Sequence, residues 1–288
     1  MVNKKSLLSA SLSLFLSSTL LLTFCSTAPA HAEQSWNVQT IDVNGAGMGN
    51  GYCPIILDWG GTPLIAYTGY DPPYQYGIVK YARWNGSGWS IQEVDSFAHA
   101  FDLMLDANGN PHILYGLADL KYASWTGFEW TSQTVDETGS NYVYGSLALD
   151  SFGNPHAAYS DGEALKYASR NGSTWTIQTV DTYSEIPFQL SLVIDSNDTP
   201  YILYSNPTTY EDKSTGIDYD SRNVKLAVLE NSVWNIQTVP LPPPIGGYSN
   251  IVLDSKGYPH FIFTRKHFAN PPGDMNPVSY THLTLPTN

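Results

Sequence analysis

One eleven-residue string returns along this chain, and it constrains the fold more than any other feature. Leu149-Asp150-Ser151-Phe152-Gly153-Asn154-Pro155-His156-Ala157-Ala158-Tyr159 recurs as Leu105-Asp106 through Pro111-His112 to Tyr115, and as Leu253-Asp254 through Pro259-His260 to Phe263. Weaker copies run from Leu57-Asp58 to Pro63 and Tyr67, and from Ile194-Asp195 to Pro200 and Tyr204. A second string follows in four units: Val79-Lys80-Tyr81-Ala82, Leu120-Lys121-Tyr122-Ala123, Leu165-Lys166-Tyr167-Ala168 and Val224-Lys225-Leu226-Ala227. Each leads through a short polar turn to a tryptophan that opens a third string. That string is clearest as Trp175-Thr176-Ile177-Gln178-Thr179-Val180 and Trp234-Asn235-Ile236-Gln237-Thr238-Val239, and it also precedes the first unit as Trp36-Asn37-Val38-Gln39-Thr40-Ile41. Trp36, Trp89, Trp130, Trp175 and Trp234 stand 41 to 59 residues apart.

Each unit reads as four short strands rich in β-branched and aromatic residues, separated by turn residues. The first ends in Leu-Asp, the second begins Pro-His, the third surrounds Lys-Tyr-Ala and the fourth runs from Trp to Val-Asp. The Asp-x-x-Gly-x-Pro turn has a physical basis: Asp caps local amides, Gly accepts positive φ, and Pro starts a strand where no donor is needed. No long stretch has helical periodicity. Four-stranded units at this period predict an all-β protein, a β-propeller of about five blades. Trp36 to Ile41 is a fourth-type strand with no strands before it, and the unit from Ile251 to Tyr280 has no fourth. Pairing the two completes the last blade and hides both edges.

The repeat resembles that of a broad family of secreted bacterial and archaeal propellers, whose units carry Leu-Asp-x-x-Gly-x-Pro-His, Leu-Lys-Tyr-Ala and Asn-Gly-x-x-Trp. The likeness spans roughly Trp36 to Tyr280. It is also distantly similar to Asp-box repeats of the sialidase type, with Ser169-x-Asn171-Gly172-x-x-Trp175 close to Ser-x-Asp-x-Gly-x-x-Trp but with Asn for Asp and Gly one place early. The resemblance implies a propeller in an extracellular setting and fixes no single chemistry.

The ends read differently from the repeats. Lys4 and Lys5, an uncharged Leu- and Ser-rich stretch to Phe24, and the small residues of Ala28-Pro29-Ala30-His31-Ala32 have the layout of a signal peptide cleaved after Ala32. A retained membrane anchor and a lipid on Cys25 are the alternatives. Residues 33–280 form the propeller domain, and 281–288 read as a non-repeat tail such as a truncation or a translated adapter would leave. The expected protein is secreted or held at the cell surface, monomeric, and not inserted in a membrane. A formal net charge of −13, more acidic still without residues 1–32, gives no electrostatic footprint for nucleic acid. Cys53 is the one cysteine outside the signal segment, so no intrachain disulfide forms there; it is expected as a small buried hydrophobe.

In such blades the first-to-second and third-to-fourth turns share one face, and here they are short. The long connections, Gly69–Gly77, Asn206–Asn223, Pro240–Ser249 and Arg265–Pro277, fall on the other, where binding is expected. That face is assigned Tyr70, Tyr74, Tyr76, His99, Phe101, Tyr142, Tyr144, Tyr183, Phe188, Tyr210, Tyr219 and Tyr248 as candidate ligand-binding residues, rings suited to stacking on sugars or simply to packing. His112, His156 and His260 sit at equivalent positions that symmetry holds apart, so they are read as structural, bonded to nearby backbone. Glu211, Asp212, Asp218 and Asp220 form an acidic loop without the EF-hand spacing and are read as solvated. No metal, cofactor or catalytic group is assigned. Asp102, Glu137, Glu185, Asp212 and Asp274 are the carboxylates a glycosidase could use, but nothing in the sequence pairs any two of them. The reading is a non-catalytic binding module for carbohydrate or a surface protein; the alternative is a glycoside hydrolase or lyase of sialidase-like type.

Overall fold

The computed structural model describes residues 38–42, 53–70, 77–140, 143–182, 189–212, 217–241, 245–265 and 279–284. The chain divides into two units, Met1–Thr40 and Ile41–Asn288, and the account below concerns the second. Its described residues form strands and no helix.

Four sheets have four strands each, antiparallel and in chain order. Sheet 1 holds β1 (Ile55–Leu57), β2 (Pro63–Tyr70), β3 (Gly77–Trp84) and β4 (Trp89–Ser96). Sheet 2 holds β5 (His99–Leu105), β6 (Pro111–Gly116), β7 (Leu120–Trp125) and β8 (Trp130–Asp136). Sheet 3 holds β9 (Tyr144–Leu149), β10 (Pro155–Ser160), β11 (Ala164–Asn171) and β12 (Thr174–Thr182). Sheet 4 holds β13 (Leu190–Ile194), β14 (Pro200–Asp212), β15 (Ile217–Glu230) and β16 (Val233–Thr238). Sheet 5 has three strands among the described residues: β17 (Ile245–Leu253), β18 (Pro259–Arg265) and β19 (Ser279–Thr284). Every second strand starts on the repeat's proline, where the missing N–H breaks no ladder.

Successive sheets bury a separate apolar layer between each pair. Leu64, Val79, Leu103, Ile113 and Tyr115 fill the first; Leu114, Leu120, Tyr122, Leu147 and Tyr159 the second. Leu165, Tyr167, Leu192, Ile202 and Tyr204 fill the third, and Leu203, Val224, Ile251, Phe261 and Phe263 the fourth. Each fully buried aliphatic side chain contributes about 1.5–3 kcal/mol. The repeated tryptophans clamp these layers from the outer strand. Trp130, Trp175 and Trp234 meet Tyr81, Tyr122 and Tyr167 of the preceding sheet edge-to-face, with centroids 5.4, 5.5 and 5.1 Å apart. Trp130 and Trp234 also donate from Nε1 to Gln92 and Gln178 of that sheet.

A second device locks the sheets in the opposite direction. The Asp that ends each fourth string accepts from the Tyr and the Lys of the next sheet. Asp95 takes Tyr115 Oη and Lys121 Nζ, both at 3.0 Å; Asp136 takes Tyr159 at 2.7 Å and Lys166 at 3.0 Å; Asp181 takes Tyr204 at 2.7 Å and Lys225 at 2.8 Å. Strand alternation alone forbids this, because Asp136 lies six residues beyond Trp130 and belongs on the side facing the previous sheet. A β-bulge resolves the conflict. The register slips between Val79 and Lys80, Leu120 and Lys121, and Leu165 and Lys166, leaving Val94, Val135 and Val180 out of the pairing and re-aiming the Asp that follows.

The expected closure is not made among the described residues. The N-terminal string is described only over 38–42, forms no strand there, and pairs with no strand of sheet 5. Asp42 nevertheless performs the lock for sheet 1, accepting from Tyr67 Oη at 3.0 Å and Lys80 Nζ at 2.9 Å. Three further expectations change. Residues 281–284, read as tail, belong to β19 and pair with β18. Much of the Asn206–Asn223 connection is paired strand, lengthening β14 and β15 into one hairpin. Cys53, just ahead of β1, is exposed instead of buried because only the three residues of β1 shelter this edge.

Candidate functional site

The short turns between first and second strands share one hydrogen-bond pattern. Asp58, Asp106, Asp150, Asp195 and Asp254 each accept, on Oδ1, the amides two and four residues on. The residue three places on has positive φ: Gly61, Gly109, Gly153 and Gly257 at 78–82°, and Asp198 at 61°. The remaining carboxylate oxygen is met by a side chain. His156 Nε2 lies 3.4 Å from Asp150, and His260 Nε2 3.2 Å from Asp254. Tyr201 takes that place at Asp195, and Arg83 at Asp58 with a 2.9 Å contact. The imidazoles of His112 and His156 also bond, through Nδ1, to Tyr122 and Tyr167. The histidines are thus structural, as read, but their partners are side chains and not backbone. Burial holds His112 and His156 below the usual imidazole range against the pull of their aspartates, so both are neutral near pH 7.

With Arg83 drawn to the inner turn, a groove of about 760 Å³ opens between sheets 1 and 2 on the short-turn face. Arg83 and Trp84 at the end of β3 form one side; Asn108 and Asn110 of the β5–β6 turn and Trp125 at the end of β7 form the other, with Gln92 in between. Both indoles are held edge-to-face by a second tryptophan across the β3–β4 and β7–β8 hairpins, Trp84 on Trp89 and Trp125 on Trp130. Gln92 Oε1 is taken by Trp130, so the amide offers donors; Asn110 Nδ2 is taken by Asp106, so the amide offers its oxygen. Arg83 is half exposed, and its charge is matched by Asp58, whose carboxyl the Thr62 amide, then Gly60 and Arg83, keep below the ordinary range. The groove is aromatic, amide-rich and close to neutral. It lies on the face opposite the long loops, and sequence reasoning missed it because its walls come from two different repeats.

Much of the sequence-assigned face lies outside the described residues: Tyr74, Tyr76, Tyr142, Tyr183, Phe188, Glu185 and Asp274. Tyr70 ends β2, Tyr248 lies in β17, and Tyr210 faces Tyr219 across the β14–β15 hairpin; only their backbone is described. In the same hairpin Glu211 pairs with Asp218, and Asp212 with Ile217. Phe101 is a correction: it is 5% exposed and packs with Leu114 and Leu147 in the core, placed there by the irregular β5–β6 register. Tyr144 is half-buried opposite Ser160. His99 opens β5 half-buried, with Nδ1 enclosed and burial lowering its pKa. Glu137 is exposed just beyond β8.

Asp102, the one glycosidase candidate set into an inner strand, is fully employed. Its oxygens accept from Leu103 N, Ser146 Oγ and Leu147 N at 2.8–2.9 Å, and Ser146 Oγ in turn accepts Leu192 N. Burial raises its pKa. The residue ties the first strands of sheets 2, 3 and 4 together and offers no oxygen to a substrate.

No family model and no curated protein sequence matches the chain. Among solved structures, an α-L-arabinanase from Penicillium chrysogenum, determined with arabinobiose, is similar at TM-score 0.50 and 12% identity, over 74% of this chain and 76% of that one. A protein of unknown function from Dyadobacter fermentans aligns over 80% and 74% of the two chains at 13% identity and TM-score 0.49. The NanB sialidase of Streptococcus pneumoniae aligns over 65% of this chain and 32% of its own, at 12% identity and TM-score 0.45. At these identities the likeness concerns the fold alone, and the likeness to the arabinanase is that of one β-propeller to another.

Proposed function

We propose that this protein is a secreted, non-catalytic propeller that binds neutral carbohydrate in the groove between sheets 1 and 2. One observation carries the reading: two fixed indoles, an arginine and four amides converge on a single groove. Indole faces stack on the C–H faces of sugar rings, while amides and guanidinium bond to hydroxyls. Its volume lies in the range of ligand sites. The arabinanase of similar fold, crystallised with arabinobiose, supports this use of the architecture. Against catalysis stands the employment of the nearby carboxylates, since Asp58 and Asp106 are committed to their turns. The blade count is part of the proposal: five blades, with the segment ending at Asp42 taking the place of the missing strand of the fifth. Its support is the lock that Asp42 makes with sheet 1.

Titration calorimetry against neutral di- and tetrasaccharides, guided by a glycan array, tests the reading. Saccharide binding by the wild type that Trp84→Ala weakens at least tenfold, without release of reducing ends, is the expected result; about 1.4 kcal/mol is that factor. Folded protein that binds no saccharide, or binds one with Trp84→Ala unchanged, overturns it.

A further inference from the structure

The aromatic residues most exposed among those described gather on the face that bears the groove. Trp59, Phe128 and Phe152 are 82%, 91% and 85% exposed, and all three sit in short turns. Trp59 lies in the β1–β2 turn, three residues before Thr62, which lines the groove. Phe128 lies in the β7–β8 turn, three residues after Trp125, which lines its other side. Phe152 occupies on sheet 3 the turn position that Asn108 holds on sheet 2, ahead of the next inter-sheet space. None of the three packs in a core cluster. The opposite face shows one exposed aromatic among its described residues, Phe97, at 53%.

Three large apolar rings held in water serve no folding purpose, and they do not form the contiguous apolar patch of a protein interface. They alternate with Asn108, Asn110, Asn154 and Asn171, amides that meet hydroxyls and not an apolar partner. Resting on the saccharide reading above, we infer that the ligand is a neutral polysaccharide chain lying across sheets 1 to 3, with the groove as its central subsite and Trp59, Phe128 and Phe152 as outer stacking platforms. Packed sheets stand about 10 Å apart, so turn tips on successive sheets are spaced for several rings and lie beyond the reach of one monosaccharide. The net charge of −13 disfavours an acidic polymer. Turn tips are rigid here because each turn is cross-bonded through its Asp or, at Phe128, through Thr126 Oγ1, which accepts the Phe128 and Glu129 amides. The platforms therefore lose little freedom on binding.

The test uses the whole protein, insoluble cellulose, xylan, mannan and arabinan as probes, and the disaccharide of each. A triple variant, W59S/F128S/F152S, removes the platforms at exposed positions, and its melting temperature reports folding. The expected result is a ratio of polymer to disaccharide affinity at least about tenfold lower than in the wild type, since each lost stacking contact contributes a factor of several. An unchanged ratio overturns the inference, as does a wild type that binds the disaccharide but retains no polymer; in both cases the groove reading survives. A wild type that binds neither overturns both. If the triple variant does not fold, F128S alone, on the most exposed ring, carries the same comparison.

Discussion

At the residue scale the aspartates decide most. The Asp–Tyr–Lys lock recurs four times, and where it is missing it is missing as a unit. At the junction of sheets 4 and 5, Pro240 stands for the Asp, Phe263 for the Tyr, and Thr281, opposite Phe263 in the register, for the Lys. An unmatched partner left in a buried junction loses water without gaining a bond, whereas replacing all partners with less polar groups is nearly neutral. Asp136→Ala should therefore destabilise by about 2–3 kcal/mol, and the triple D136P/Y159F/K166T, copying the natural junction, by less than the sum of its parts. Urea midpoints of singles and triple check this; additivity would refute it. The histidines set a pH response. His112 and His156 have pKa values lowered from an ordinary 6.5, so the folded state binds the proton less readily than the unfolded one. Their contribution is intact above that ordinary value and is lost as pH falls toward the folded one. Asp95, Asp106, Asp150 and Asp181, held below 3.8 by their partners, extend the loss to lower pH. Melting temperature should fall from about pH 7.5 to pH 5, and the fall should shrink in H112N/H156N.

Single turns and strands show what was legible beforehand. Strand starts were readable because Pro and Trp punctuate the repeat, and the Asp turns because their donors are local. The direction of Asp95, Asp136 and Asp181 was not, since a bulge reverses the parity on which face assignments rest. Phe101 was misplaced for a related reason, an irregular register within β5. The groove was hidden because Arg83 replaces a histidine from the neighbouring strand: Leu64 stands at the histidine position and pairs with Arg83 across β2 and β3. The β13–β14 turn carries a sharper consequence. Asp198 holds a φ of 61° where the other turns have Gly, and its carboxylate accepts Ser151 N at 2.7 Å and Ser151 Oγ at 2.8 Å from the turn of sheet 3. Asp tolerates that conformation better than other non-Gly residues, and its bonds offset the strain. Asp198→Ala should lose the bonds and keep the strain, while Asp198→Gly loses the bonds and relieves it. The Ala variant should be about 1–2 kcal/mol less stable than the Gly variant, read from denaturation midpoints; equal midpoints would mean the turn moves freely.

Across the whole molecule, stability depends on every sheet having both neighbours, because each apolar layer belongs to a pair of sheets. Sheet 1 needs something on its outer side, and Asp42 shows what supplies it. Asp42 and Lys80 are 12% and 10% exposed at the side chain, more enclosed than Asp95–Lys121 at 25% and 35% or Asp136–Lys166 at 18% and 23%. The enclosure is local to Asp42, since residues 38–40 just before it are exposed and form no strand, and the segment is joined to sheet 1 only through a connection of more than ten residues. If that segment plays the fourth strand of the last blade, removing its carboxylate uncovers a nearly buried ammonium at the seam. Asp42→Ala should then cost at least as much as Asp136→Ala, about 3 kcal/mol or more. Asp95→Ala, at the more open junction, should cost least of the three. Denaturant midpoints for the three single variants give the order directly. The order Asp42, Asp136, Asp95 places the seam under the same load as the interior junctions, whereas an Asp42→Ala midpoint within error of the wild type would mean that the segment frays and sheet 1 stands without it.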